Sequence, residues 1–317
     1  CIIQNKSGLI NKDMIIKEQE IISTYKKNGY TVVKNLIPIE LIEEVLKIYT
    51  RLIPQKPLIY TQSTHKWEEI KLDNENLIIQ SILNPSTLKT LHPLNIYLEG
   101  IIYHKNIEKI LSIIFNEKAF KIGCWQDMFF DKSTATIPHI DSWYLDTLPK
   151  GDLLGAWMAL EDIRSENGSF YVYPGSHLND WSALEGFSHD QFINNINDFC
   201  KKNEPLKKEL HINKGDVVFW NSKLVHGSTK QKTKGYSRKS LTAHYFPYPS
   251  SLIDSKRVYN LSSVKRRLKK NKNSRIERFN SNFLTTNKYR HIFGKIGNKL
   301  TKLGIKIGPS WDMRNKK

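Results

Sequence analysis

Between residues 151 and 246 short apolar runs alternate with turn signals at close intervals, a pattern few folds accept. The run Gly151-Asp-Leu-Leu-Gly-Ala-Trp-Met-Ala-Leu-Glu-Asp162 ends in an acidic turn. Asn167-Gly168 then precedes Phe170-Tyr-Val-Tyr173, and Pro174-Gly-Ser-His177 follows. His211-Ile-Asn-Lys-Gly-Asp216 leads into Val217-Val-Phe-Trp220, and Arg238-Lys-Ser-Leu-Thr-Ala-His-Tyr-Phe246 closes the series in alternation. Runs this short, cut by Gly, Pro and Asn, are strands rather than helices. They predict a mainly β protein with flanking α-helices, its core a double-stranded β-helix of the jelly-roll or cupin-like type.

Into this pattern falls His139-Ile-Asp141, answered 85 residues after Asp141 by His226 and then by Arg238. On an extended segment His139 and Asp141 point to one face, because strand side chains alternate with a period of two. Two imidazoles and one carboxylate form the facial triad that holds non-haem Fe(II) and leaves positions open for substrate and O2. The guanidinium of Arg238 offers a fixed fork for a dicarboxylate co-substrate. The set suggests an oxygenase that consumes a 2-oxo acid. His177, His211 and His244 compete with His226 for the third ligand position. His226 is preferred because it follows the apolar strand 217–220 and precedes an arginine at suitable distance. His177 sits in a Pro-Gly-Ser turn that argues for a structural or pocket-lining role, and His244 fits a buried, hydrogen-bonded one.

With these residues in order, the chain resembles the phytanoyl-CoA dioxygenase family of Fe(II)/2-oxoglutarate oxygenases. The motifs are His139-x-Asp141, Trp157-Met-Ala-Leu160, Asn167-Gly168, Pro174-Gly-Ser-His177, Gly215-Asp216, His226-Gly-Ser228 and Arg238, with Lys27-Asn-Gly-Tyr-Thr-Val-Val33 and Leu36-Ile-Pro38 as the opening. The resemblance runs from about residue 20 to 247. It implies iron held by His139, Asp141 and His226, and 2-oxoglutarate whose far carboxylate pairs with Arg238 and Ser228. Lys121 and Met128, on the preceding strand, become candidate co-substrate contacts. It implies O2-dependent hydroxylation of a C–H bond, with release of succinate and CO2. Related halogenases lack the carboxylate, so Asp141 argues against halogenation. Candidate substrate contacts are Gln126, Trp143, Tyr144 and Trp157, with Trp125 and Asp127 beside them.

The flanks are different in kind. Residues 14–28 and 39–53 read as amphipathic helices around a short strand at 30–33, and residues 93–116 as helical. Residues 55–90 are polar and Pro-broken, placed for loops or a lid, and 178–209 interrupt the β pattern as an insertion near the site mouth. A first domain over 1–250 is expected, with a helical N-terminal region over 1–118 and a barrel over 119–250, followed by a basic, partly helical extension over 251–317. That extension holds 19 Lys/Arg against Asp254, Glu277 and Asp312, so it carries +16 of the chain's net +18. Within 289–306 apolar residues alternate with lysines as on an interfacial helix, which raises peripheral contact with an anionic membrane; tertiary packing is the competing reading. No zinc-finger, RNA-binding or helix-turn-helix signature speaks for nucleic acid. The substrate is expected to be a small molecule, anionic or lipid-linked. Three scattered cysteines speak against a disulfide framework and for a reducing, cytoplasmic setting. The alternative function is a catalytically silent barrel whose basic tail binds an anionic membrane or other polyanion.

Overall fold

Helix α1 (Lys12–Asn28) leads into strand β1 (Tyr30–Val33) and helix α2 (Ile39–Leu52). A hairpin of β2 (Leu58–Tyr60) and β3 (Trp67–Glu69), then the two-residue β4 (Ile82–Leu83), precede helices α3 (Leu94–Ile102) and α4 (Lys105–Phe115). The chain continues through β5 (Lys121–Phe130), β6 (Leu145–Leu148), β7 (Leu154–Ala159), β8 (Phe170–Val172), helix α5 (His189–Lys202), β9 (Lys208–Leu210), β10 (Val217–Asn221), β11 (His226–Ser228) and β12 (Ser240–Tyr248). Three short strands follow, β13 (Ser251–Asp254), β14 (Arg257–Tyr259) and β15 (Ile276–Arg278). The structure is a computed structural model and describes residues 12–115, 121–148, 150–248, 251–254, 257–259 and 276–278.

The main sheet has the order β1-β10-β7-β12-β5-β15, with β4 also on β5. A second sheet, β11-β8-β9, stands apart from it, and β14-β13-β6 forms a third. Strand β10 shows why its residues are almost all apolar. Val217 and Phe219 join the core cluster formed with the helices, while Val218 and Trp220 join the one that holds Phe170, Val172 and Leu210 of the second sheet. Strand β7 divides the same way, with Ala156 and Met158 toward the helices and Trp157 and Ala159 toward the other sheet. A sheet buried on both faces selects continuous apolar runs instead of alternation.

The helices follow ordinary rules. In α2, Ile42, Val45 and Tyr49 are buried at helical spacing, with Glu40 in the first turn and Arg51 in the last, each favourable toward the helix dipole. Helix α5 starts with a capping box between Ser188 and Gln191 and buries Phe192, Ile196 and Cys200 on one face. The insertion predicted at 178–209 is thus a helix packed on the outer side of the second sheet, against Tyr171 and Tyr173.

Two differences from the sequence reading stand out. Residues 55–90 are tied into the body: Ile59, Ile70 and Ile78 lie in the main core, and Ile78 N donates to the buried Asp131 carboxylate at 2.7 Å. The sheets also continue past residue 250. Strand β13 pairs with β6, and β15 pairs in parallel with β5, so one compact unit runs over Cys1–Phe279. Residues 280–317, including the 289–306 segment, lie outside the described residues. Among the described residues no helix is long and apolar enough to cross a membrane.

Candidate metal centre

His139 and His226 lie on neighbouring backbone segments and exchange both main-chain hydrogen bonds, each 3.0 Å long. Their rings stand 4.3 Å apart between centroids. Ile140 is extended (φ −115°, ψ 136°) and buried, so Asp141 points back to the side of His139 even though it opens a short 3-10 turn instead of continuing a strand. One ligand atom from each of His139, Asp141 and His226 falls within 4.8 Å of the others, and among the described residues this is the group of three or more such side chains that could hold an ion.

The ring nitrogens are sorted by their backbone. Nδ1 of His139 bonds the carbonyl of Ile137, and Nδ1 of His226 that of Leu224, both at 2.9 Å. A carbonyl only accepts, so each Nδ1 carries the proton and each Nε2 presents a lone pair. Those Nε2 atoms lie 3.5 and 3.6 Å from Asp141 Oδ1. Burial pushes His226 down to about 4, against the attraction of Asp141, which favours the neutral ring a metal requires. Burial also opposes charge on His139, but the adjacent Asp141 outweighs it and the pKa is raised. For Asp141 itself burial acts upward, and the surrounding His226, His244 and His139 draw it well below the usual carboxylate range. Two imidazoles oriented by backbone carbonyls, with their Nε2 atoms turned toward one carboxylate, fit a first-row divalent ion such as Fe(II).

Arg238 is 3% exposed, stacked between Phe130 (5.7 Å) and Trp157 (5.5 Å). Among the described residues its Nε has no hydrogen-bond partner, and Nη1 reaches only Gly168 O at 3.5 Å. Burial pushes this guanidinium down to about 10. A buried cation with donors to spare and no carboxylate on it among the described residues calls for an anionic ligand. Rings link it to the triad: Trp157 stacks on Phe170 at 5.4 Å, and Phe170 on His226 at 5.4 Å. Ser228, two residues from His226 on β11, accepts Thr136 N at 2.9 Å.

A model of the family described as phytanoyl-CoA dioxygenase matches residues 25–240. The chain belongs to the phytanoyl-CoA dioxygenase family. It is 34% identical over 133 residues to the peroxisomal phytanoyl-CoA dioxygenase of Homo sapiens, and 33% identical over 129 residues to that of Bos taurus. Each match covers 39% of this chain but only 38% and 37% of the relative's length. Among solved structures, the epimerase SnoN in complex with Fe3+, alpha ketoglutarate and nogalamycin RO shares the fold, with a TM-score of 0.56 at 18% identity over 76% of this chain and 88% of the other.

The family motifs have local reasons. Asn167 accepts Arg164 N and donates to Ser237 O, which fixes the residue before Arg238. Ser176, from the Pro-Gly-Ser-His turn, accepts Val225 N at 2.8 Å and sets the backbone next to His226. His177 of the same turn packs on Gly29 and bonds Lys26 O, a structural role away from the metal ligands. Asp216 accepts Asn35 N and Asn213 N, and Gly215 O accepts Leu36 N and Ile37 N, tying the opening segment to the barrel. His211 bonds Ser165 and is exposed.

The remaining candidates divide. Gln126 Nε2 lies 3.3 Å from His244 Nδ1, and His244 Nε2 lies 3.3 Å from Asp141 Oδ2, so both belong to the site. Met128 shares the strand face of Gln126 and Phe130 by alternation and is buried. Lys121 is at the opposite end of β5, five residues and roughly 16 Å of strand from Gln126. Tyr144 stands 6.0 Å from His139, its hydroxyl 3.0 Å from His189 Nε2 at the start of α5. Trp143 stacks on Phe192 at 4.3 Å. Trp157 lies in the barrel interior under Arg238. Asp127 is turned to the other face, bonded to Ser86 and Arg278, because strand alternation opposes it to Gln126.

Proposed function

We propose that this protein is an Fe(II)- and 2-oxoglutarate-dependent dioxygenase that hydroxylates a C–H bond of a small or lipid-linked metabolite. The observation that carries the reading is the convergence of His139, His226 and Asp141 Oδ1 in the same barrel as a buried arginine that has no counter-ion among the described residues. Fe(II), bound by those three residues, supplies the redox chemistry by which one atom of O2 enters succinate, as 2-oxoglutarate loses CO2, and the other enters the product hydroxyl.

The chain's own residues bind and orient. Arg238 would clamp the far carboxylate of 2-oxoglutarate through two parallel N–H bonds, with the Ser228 hydroxyl as a further donor. Phe130 and Trp157 pack on the buried guanidinium and shield it from water, which would strengthen that pairing. Met128 would pack on the methylenes of the co-substrate. Substrate would approach on the side of His139, the more open of the two histidines, where Tyr144 and His189 form a polar edge and Trp143 and Phe192 an apolar wall. A silent barrel gains nothing from a buried Arg238 with no carboxylate on it among the described residues, since its desolvation is a standing cost.

Anaerobic addition of Fe(II) and then 2-oxoglutarate tests the reading. A weak visible charge-transfer band in the wild type that is absent from His226→Ala supports it; no band from well-folded wild type overturns it.

A further inference from the structure

The second oxygen of Asp141 is already spoken for. Oδ2 accepts Trp220 Nε1 at 2.8 Å and lies 3.3 Å from His244 Nε2. The amide of Gln126 donates to His244 Nδ1, which leaves the ring proton on Nε2, aimed at the carboxylate. Trp220 and His244 stand on different strands, β10 and β12, and both are in register with one residue of β7 between them, Gly155. A Cβ built on Gly155 would fall inside the space of the Trp220 indole. The φ of Gly155 is not in the left-handed region, so room for the ring, and not backbone freedom, is what demands glycine there. Over that gap the two rings meet nearly at right angles, 6.0 Å apart at 81°.

We infer that Trp220 and His244, seated over Gly155, are positioning residues that restrict Asp141 to ligating a metal through Oδ1 alone. The inference rests on the iron-site reading above and deepens it. A carboxylate free to rotate can chelate an ion with both oxygens and fill an extra position. A 2-oxo acid takes two positions beside the triad, and O2 needs one more. Two N–H donors on Oδ2 hold the carboxylate plane, with Oδ1 toward the Nε2 atoms of His139 and His226, and keep those positions open. They also fix the ligand before the metal arrives, so their removal costs metal affinity.

The experiment is calorimetric titration of the full chain with Co(II), alongside thermal unfolding of the metal-free protein. Trp220→Phe keeps the ring and deletes the N–H; His244→Leu deletes the other donor, and His244→Gln restores an N–H without the imidazole. The expected result is Co(II) binding weakened about 10- to 100-fold in Trp220→Phe and His244→Leu. His244→Gln recovers most of the affinity, and Gly155→Ala, by displacing the indole, behaves like Trp220→Phe. Binding in both donor-deleting variants within roughly twofold of wild type, well below the usual outer-shell effect, overturns the inference and leaves the metal site standing. Equal weakness of His244→Leu and His244→Gln overturns it too, since ring packing and not the N–H would then matter. A well-folded wild type that binds no Co(II) overturns both the inference and the site.

Discussion

His139 and His226 are separated by 86 residues of chain yet share a reciprocal pair of main-chain hydrogen bonds. The metal centre is therefore built on backbone pairing between the two halves of the barrel, with the side chains added to it. The two histidines differ in setting: His226 packs against Phe170 and Trp220 at 5.4 and 5.1 Å, whereas His139 lies nearer the surface. Both His139→Ala and His226→Ala should lose the Fe(II)–2-oxoglutarate band. Only His226→Ala should also lower the metal-free unfolding temperature, by the equivalent of about 1–3 kcal/mol for a buried truncation. Band titration and calorimetry on the two variants read this difference directly.

Arg238 separates binding from stability in the opposite direction. Arg238→Met removes a buried cation that has no carboxylate on it among the described residues and leaves an apolar side chain between Phe130 and Trp157. The metal-free variant should unfold at the same temperature as wild type or higher. The stabilisation that 2-oxoglutarate gives the wild type should vanish, with the co-substrate requirement raised about 10- to 100-fold, as loss of a charge-assisted pair of about 1.5–3 kcal/mol implies. A marked fall in metal-free stability would mean that Arg238 holds the barrel together instead.

Asn167 carries a smaller, structural prediction. Its amide bridges Arg164 N and Ser237 O across the turn that delivers Arg238. Asn167→Ala leaves the half-buried Arg164 N–H and Ser237 carbonyl without this partner and should cost about 1 kcal/mol. The 2-oxoglutarate requirement should rise while the Co(II) affinity stays at the wild-type level, because the metal ligands sit on other segments.

The ease of reading this chain followed sequence distance. His139-x-Asp141 and His226-Gly-Ser228 were visible because their side chains lie within two residues of each other, and strand periodicity fixes their faces. The Trp220–Gly155–His244 row was not, because it exists only through the register of three strands. Trp220 read as core, His244 as a buried residue with no named partner, and Gly155 as one member of an apolar run. Asp127 was read as a pocket candidate beside Gln126, yet strand alternation turns it to the opposite face, onto Ser86 and Arg278. Strand β15 gave no signal: three residues, only one of them apolar, inside a strongly basic stretch.

Asp73 gives a pH-dependent prediction. Burial acts upward on its carboxyl, but Lys132 and the backbone N–H groups of Leu77 and Glu75 outweigh this, and its pKa is lowered from 3.8. A carboxylate depressed in the folded state adds stability that is fully present above the unfolded value and lost as pH falls through the folded one. Wild type should lose stability on acidification below pH 3.8 more steeply than Asp73→Asn, and the two should converge at the acid end. Parallel curves down to that limit would show that the Asp73–Lys132 pair contributes nothing.

The sharpest stability test lies where the barrel was expected to end. Arg278 of β15 pairs with the fully buried Asp127 and also bonds Ser86 and Asn84. A chain stopped at residue 250 removes that guanidinium and leaves the Asp127 carboxylate buried without a counter-ion. Breaking a buried pair from one side costs about 3–5 kcal/mol, far more than the pair adds when compared with a well-packed apolar replacement. Truncation at 250 and the single change Arg278→Met should therefore both lower the unfolding temperature markedly. Truncation after residue 279 should not, since β15 and its ion pair remain. Adding Asp127→Asn to Arg278→Met should recover much of the loss, because the uncompensated charge is then gone and Asn keeps hydrogen bonds to Ser86 within reach. If that double variant is no more stable than Arg278→Met alone, the cost arises from lost packing of β15 and not from the stranded carboxylate.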